Sequence, residues 1–304
     1  MSKDNGADTS CCAACGIAEV DDVKLKKCTH CDLVRYCSDA CQKNHTSQHE
    51  EACIKRAAEL RDELLFKQPE STNLGDCPIC CLPLPLDLEK SGMYQCCSKV
   101  VCYGCSHANQ RREFEERRHR KCSFCREPLP TTDEGCDKQR MKRVEANDPI
   151  ALGMEGVERK MEGDYRSAYK YLLKAAELGN AEAHFKLAGL YHEGHGVEKD
   201  RGKAIYHLEE AAIGGHPYAR YDLGYDAEEY GISERAVRHW IISANLGDDN
   251  SIKSLMAAYR GGFVSKEDLA DALRGHQAAV DATKSPQREA AEEYRRSLAS
   301  VECT

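Results

Sequence analysis

The chain has 304 residues, 31% of them charged, with a formal net charge of −8. That length suits two or three domains, and that charge balance excludes a globally basic field for nucleic acid. No apolar run approaches the roughly 18 residues a membrane-spanning helix needs, so neither nucleic acid nor membrane is expected as a partner.

The opening string MSKDNGADTS is polar and lacks the apolar core of a secretory signal, so residues 1–10 read as disordered. Seventeen of the nineteen cysteines lie between Cys11 and Cys125, leaving only Cys136 and Cys303 beyond. In a reducing compartment, cytoplasmic or nuclear, clustered thiols read as metal ligands rather than disulfides.

The first cluster is Cys12, Cys15, Cys28, Cys31, Cys37, Cys41, His49 and Cys53, spaced C-x2-C-x12-C-x2-C-x5-C-x3-C-x7-H-x3-C. The x3 gaps put Cys37 with Cys41, and His49 with Cys53, on one face of a helical turn. Cys11 is the alternative first ligand, but only Cys12 gives the two-residue gap; His30 and His45 are weaker candidates. The spacing over 11–53, with the strings VRYCSDACQK and HEEAC, resembles the MYND zinc finger. The resemblance implies interleaved sites, with Cys12, Cys15, Cys37 and Cys41 on one zinc and Cys28, Cys31, His49 and Cys53 on the other. It also implies a surface for protein or proline-containing peptide, near Gln42, although Thr46 stands where the family commonly has tryptophan. Some forty residues cannot bury a self-sufficient core, so zinc must supply the folding free energy.

Residues 54–73 are expected to be a helix and linker. The helix runs from His49 to Phe66 with Ala52, Ala57, Leu60, Leu64 and Leu65 as its apolar side, and ends before Pro69. Four more cysteine pairs follow within 74–130: Cys77/Cys80, Cys96/Cys97, Cys102/Cys105 and Cys122/Cys125. Four thiolate pairs make two closed, structural zinc sites. The charged spacer 107–121 mixes both signs and reads as a helix and loop with a solvated face.

The order of these pairs resembles the all-cysteine variant of the RING family of ubiquitin ligases. There pairs one and three share a zinc, which implies Cys77, Cys80, Cys102 and Cys105 on one ion and Cys96, Cys97, Cys122 and Cys125 on the other. Cys96 and Cys97 are adjacent where the family separates its ligands, and Cys81 is a spare thiol able to compete. The resemblance gives Ile79 to docking a ubiquitin-conjugating enzyme, and Arg126 to bridging that enzyme and ubiquitin. A guanidinium offers five donors in a rigid fork and suits such a bridge. The plainer alternatives are core filling for Ile79 and a surface charge for Arg126.

Residues 131–146 read as a linker, after which alanine, leucine, tyrosine and glycine dominate and the sequence repeats itself. Ala175, Gly179, Ala183 and Leu187 recur 36 residues on as Ala211, Gly215, Ala219 and Leu223, and again as Ala244 (33 further) and Gly247, Ser251 and Leu255 (32 further). A degenerate earlier unit begins near Asp148. The turn Gly194, Gly196, Val197, Asp200, Lys203 and Ala204 resembles the Sel-one-like repeat, a cousin of the tetratricopeptide repeat. The expected fold is therefore small zinc-stabilised α+β modules in the N-terminal half. About four helix-turn-helix units over 147–280 follow as a right-handed α-solenoid, then a terminal helix and tail over 281–304.

Two functions are consistent with this layout. One is a RING-type ubiquitin-protein transferase with no nucleophile of its own, whose partners are a ubiquitin-conjugating enzyme, ubiquitin, and a protein substrate held by the MYND and repeat regions. The other is a non-catalytic zinc-finger adaptor. Either needs about four zinc ions as its cofactors.

Overall fold

The computed structural model describes residues 11–20, 24–231 and 233–302, so residues 1–10, expected to be disordered, lie outside the described residues. The chain divides into two compact units, Met1–Lys67 and Gln68–Thr304.

In the first unit, strands β1 (Lys26–Lys27) and β2 (Arg35–Tyr36) pair antiparallel, and helix α1 follows over Asp39–Leu65. The helix begins ten residues before the expected start at His49. The Ser38 hydroxyl accepts from the Cys41 amide at 3.3 Å and Asp39 sits in the first turn, so cap and charge both favour a start there. Its expected apolar side is covered only in part: Leu65 is buried, but Ala52 is exposed and Leu64 is 49% exposed. The unit's core is Cys12, Leu25, Cys28, Cys31 and Tyr36, too few apolar groups to cover a helix face as well.

In the second unit, β3 (Ser91–Tyr94) pairs antiparallel with β4 (Lys99–Cys102), which runs straight into helix α2 (Tyr103–Glu115). Cys77, Leu84, Val101, Cys102 and Cys105 form the core of this cysteine-rich module. The charged spacer is the helix and a loop, with Phe114 and most of its arginines outward.

The segment expected as a linker, 131–146, is instead helix α3 (Asp133–Glu145), capped by Thr132, whose hydroxyl accepts from the Gly135 amide. It packs on the next helix through Val144 and through the buried carboxylate of Glu155, which accepts from Arg140 Nε at 3.1 Å and from Arg159 Nη2 at 2.7 Å. Its charged composition hid this, because the packing is an ion-paired network rather than an apolar stripe. Four antiparallel helix pairs follow: α4 (Pro149–Met161) with α5 (Tyr165–Glu177), α6 (Ala181–Glu193) with α7 (Arg201–Ile213), α8 (Pro217–Glu229) with α9 (Ser233–Asn245), and α10 (Asp249–Arg260) with α11 (Lys266–Ala282). Helix α12 (Pro286–Glu302) closes the chain.

The repeat register is written in burial. Ala175, Ala211 and Ala244, then Ala183, Ala219 and Ser251, then Leu187, Leu223 and Leu255, are all buried. Small residues at the first two positions let helix backbones approach closely, and the leucines fill the space between pairs. Residues Asp148, Asn180, His216 and Asp248 cap the first helix of each pair with a side-chain acceptor. The glycine turn has a steric cause: Gly196 has φ +73°, and a Cβ there would stand 2.7 Å from Tyr165 Cβ. Asp200 then caps α7 by accepting from the Lys203 amide at 3.0 Å. Among the described residues no helix is long and apolar enough to cross a membrane.

The cysteine-rich module and the helical stack belong to one unit. The Asn73 amide donates to Gly215 O at 3.0 Å, and Asn245 Nδ2 donates to Gln68 Oε1 at 3.2 Å. Helix α12 lies along α2, with the Tyr294 ring 4.6 Å from that of His107 and Arg295 paired with Glu89 at 2.7 Å. The solenoid's end therefore returns to the module that precedes its beginning.

Candidate metal centres

Four of the five C-x2-C pairs form the same tight turn, while Cys102 of the fifth caps α2. The amide after the second cysteine donates back to the carbonyl of the first: Gly16 to Cys12 at 2.8 Å, Asp32 to Cys28 at 3.2 Å, Cys81 to Cys77 at 2.8 Å and Arg126 to Cys122 at 3.1 Å. All four of these residues are left-handed, with φ of 74°, 56°, 55° and 66°. Three are not glycine, a backbone cost of about 1–2 kcal/mol each that the turn must offset. The turn aims both sulfurs to one side. Amides then point at the sulfurs, as Cys105 N does at Cys102 Sγ (3.4 Å) and Cys125 N at Cys122 Sγ (3.4 Å).

The thiols converge in crossed order. Cys12, Cys15, Cys37 and Cys41 form one quartet; Cys28, Cys31, His49 and Cys53 a second; Cys77, Cys80, Cys102 and Cys105 a third; Cys96, Cys97, Cys122 and Cys125 a fourth. Within each, all donor atoms lie within 4.8 Å of one another. Cys15 and Cys37 sulfurs are 3.6 Å apart, Cys28 and Cys53 3.8 Å, Cys80 and Cys102 3.8 Å, and Cys97 and Cys122 3.8 Å. Sulfurs bound at ~2.3 Å around a tetrahedral zinc stand about 3.8 Å apart. These gaps are far too long for disulfides, and the described cysteines are free.

The geometry also separates the competing ligands. Cys12 is buried in its quartet while Cys11 makes a backbone bridge with Ala18. Cys81 is the left-handed turn residue and stays exposed, outside the quartet. Adjacent Cys96 and Cys97 both join the fourth quartet across the β3–β4 turn, where Ser98 has φ 54°; Cys96 faces Cys125 at 3.4 Å. His45 is not a donor but a support: its ring stacks on His49 at 5.8 Å and its Nδ1 meets the Tyr36 hydroxyl at 3.1 Å.

Electrostatics show why these sites want a cation. In the first quartet, burial opposes ionisation of Cys12, yet the amides of Cys37, Cys15 and Ala14 bring it down to about 6. Cys37, beside the thiols of Cys41 and Cys15, is pushed up to about 12. Burial and the neighbouring Cys31 and Cys28 do the same to Cys53, also about 12. In the third quartet burial opposes ionisation of Cys80, but the Leu82 amide and Arg288 lower it to about 7, while burial and Cys102 drive Cys105 far up. In the fourth, burial and Cys122 raise Cys97 to about 11 although the Lys99 amide works against them. In each quartet one thiol is eased toward the thiolate while at least one neighbour is pushed away from it, a conflict that a divalent ion removes. Burial and His45 lower the pKa of His49, which keeps its imidazole in the neutral form that binds metal. Soft sulfur donors with one imidazole, closed at four ligands, fit structural zinc, and the four clusters are compatible with about four ions.

Of the two further residues, Ile79 stands between the third quartet's first two ligands and is 43% exposed. Arg126 is engaged within the module: Nη1 donates to Asn109 Oδ1 at 2.6 Å and Nη2 to the buried Glu113 carboxylate at 3.0 Å. Asn109 and Glu113, four residues apart on one face of α2, were not singled out from the sequence; that spacing next to an arginine was the available signal.

Residues 12–53 match the family model of the MYND finger, and 151–180, 181–216 and 217–248 match that of the Sel1 repeat. Residues 12–53 are a MYND finger, and 151–248 are Sel1 repeats. These matches leave the cysteine-rich module at 74–130 outside them. The MYND finger thus holds the first two quartets, and the three Sel1 repeats are the pairs α4–α5, α6–α7 and α8–α9; α10–α11 repeats the arrangement beyond them. A mouse protein, DAP3-binding cell death enhancer 1, is 26% identical over 180 residues, covering 46% of this chain and 35% of that protein. The chain therefore spans about a third of that relative's length. Among solved structures, a Sel1 repeat protein from Oxalobacter formigenes is 28% identical, covering 40% of this chain and 96% of that one at a TM-score of 0.36. The uropathogenic Escherichia coli antigen c5321 is 20% identical, covering 54% and 37% at a TM-score of 0.40.

Proposed function

We propose that the protein is a non-catalytic adaptor, in which zinc holds small modules in shape and the finger and helical stack each present a surface to a protein partner. The observation that carries this is the tandem of a MYND finger and Sel1 repeats in one chain. Closed four-ligand sites leave no coordination position for water, which suits shape rather than hydrolysis. Stacked repeats offer extended surfaces to proteins and peptides. Apolar groups stand ready on both: Ile17, Val20 and Leu33 on the finger, Tyr206, Tyr225 and Tyr230 on the stack. The mouse relative's name makes DAP3 the first partner to test. Reducing cytoplasm or nucleus suits sites built from free thiols.

A second reading, a RING-type ubiquitin ligase, is supported by the crossed order of the quartets at 77–125 and by the exposure of Ile79. In it, Ile79 docks the conjugating enzyme and Arg126 orients its ubiquitin, so that catalysis is positional. Arg126 would first have to leave Asn109 and Glu113.

One experiment separates the two. The full chain is incubated with ubiquitin, its activating enzyme and a panel of conjugating enzymes, and in parallel is titrated with purified DAP3. The adaptor reading expects no ubiquitin chains above the background without the protein, and saturable DAP3 binding that Leu33→Asp or Tyr225→Asp weakens about tenfold, the loss of one buried anchor. Ubiquitin chains formed by the wild type and lost in Ile79→Ala would replace the adaptor with the ligase.

A further inference from the structure

Arg288 comes from the last helix, 208 residues beyond Cys80, yet it is 6% exposed and its guanidinium is spent on the third quartet. Nη2 donates to Cys80 Sγ at 3.4 Å and to Leu82 O at 3.1 Å. Nη1 donates to Pro83 O at 2.7 Å and to Thr283 O at 2.7 Å. Leu82 O also accepts from the Cys77 amide at 2.9 Å, so the arginine grips the backbone of the ligand turn as well as a ligand sulfur. Around it, Lys90 pairs with Glu292 at 3.0 Å and Gln287 Nε2 donates to Gly104 O at 3.3 Å.

Sequence and sterics make this fit specific. Gly104 lies between two ligands, Cys102 and Cys105, and a Cβ there would stand 3.0 Å from both Cα and Cγ of Arg288. Any side chain there would push the α12 backbone back from the metal-binding turn, so glycine permits the close approach. Charge supplies the reason for an arginine. Four thiolates around one divalent ion leave two negative charges in excess, in a core where Cys77, Cys102 and Cys105 are buried. A buried anion of that kind requires donors and a counter-charge, and outer-shell partners of ligands commonly change metal affinity about 10–100-fold.

We propose that Arg288 is the outer-shell counter-ion of the Cys77/Cys80/Cys102/Cys105 zinc site, so that metal retention there and docking of the C-terminal helix are one coupled event. It acts through the ligands rather than on the ion, as a positioning residue. Coupling is reciprocal: the helix slows zinc loss, and zinc loss releases the helix. The proposal rests on the reading that this quartet holds zinc.

The test uses zinc-loaded full-length protein and a chromogenic zinc chelator, following release of each equivalent. In Arg288→Met one zinc equivalent leaves at least about tenfold faster while the two finger equivalents keep their wild-type rates. Arg288→Lys restores part of the difference, because the charge returns without the fork. Gly104→Val keeps the arginine but pushes the helix away, and frees the same single equivalent. Chelation of the wild type opens the α11–α12 junction at Lys284 to trypsin, and excess zinc protects it. Four equivalents leaving Arg288→Met and Gly104→Val at wild-type rates overturn the proposal, as does acceleration of all four together. Wild-type protein with no zinc in residues 74–130 overturns the zinc reading beneath it as well.

Discussion

Cys28→Ser combined with Cys53→Ser unfolds the whole MYND finger and leaves the Sel1 helices intact. The finger's core consists of Cys12, Leu25, Cys28, Cys31 and Tyr36, so three of its five members are themselves ligands. Two strands of two residues each contribute little, and α1 leaves Leu64 exposed. Stability must then come from metal, on the order of 10–16 kcal/mol for a structural zinc. Because the two finger quartets interleave along the chain, losing one removes the turns that hold the other. Bound zinc falls by two ions, not one, and amide signals from residues 24–53 collapse to unfolded positions. Solenoid signals stay put, since the finger and residues 68–304 are separate compact units. Retention of three zinc ions, with a folded finger, would show the sites to be independent.

The largest single effect in the solenoid belongs to Trp240. It is 2% exposed on α9, in a core with Ala227, Ala236, Ala244 and Leu255. Gly224 of α8 makes room for it, since a Cβ there would stand 2.6 Å from Trp240 Cδ1. Trp240→Ala leaves a cavity between packed helices and costs about 3–5 kcal/mol. Gly224→Val attacks the same contact from the other side by overpacking, at about 1–3 kcal/mol or more. Urea denaturation of the two variants measures both. A loss below about 1 kcal/mol in Trp240→Ala would mean that α8 and α9 are not held together at this point.

The sequence was most legible where chemistry fixes spacing. A two-residue gap between thiols has few geometric uses, so metal-binding pairs could be read from spacing, whereas their crossed order into quartets was implied by the resemblance to the MYND and RING families; adjacent Cys96 and Cys97 could not be settled until Ser98 placed a left-handed turn after them. The helical repeats were legible because small residues and leucine return at similar intervals and those at the alanine and leucine positions keep their burial. Helix α3 was hidden by its charge, since Arg140 and Glu155 pack as an ion pair that looks on paper like a solvated surface. Nor does any local pattern announce Arg288. Its meaning arises only when α12 comes back over Gly104, a pairing of residues far apart in sequence. Arg126 shows the opposite case: its position was conspicuous, but its partners, Asn109 and Glu113, required the fold of α2.

Metal content decides whether the four quartets are zinc sites. Full-length protein, purified without chelator and dialysed against metal-free buffer, is analysed by elemental mass spectrometry alongside protein in which Cys77 and Cys102 are serine. About four zinc ions per wild-type chain, with loss confined to the cysteine-rich module in the variant, is the expected result. Two ions in the wild type, unchanged in the variant, would leave the module at 74–130 without metal and contradict it.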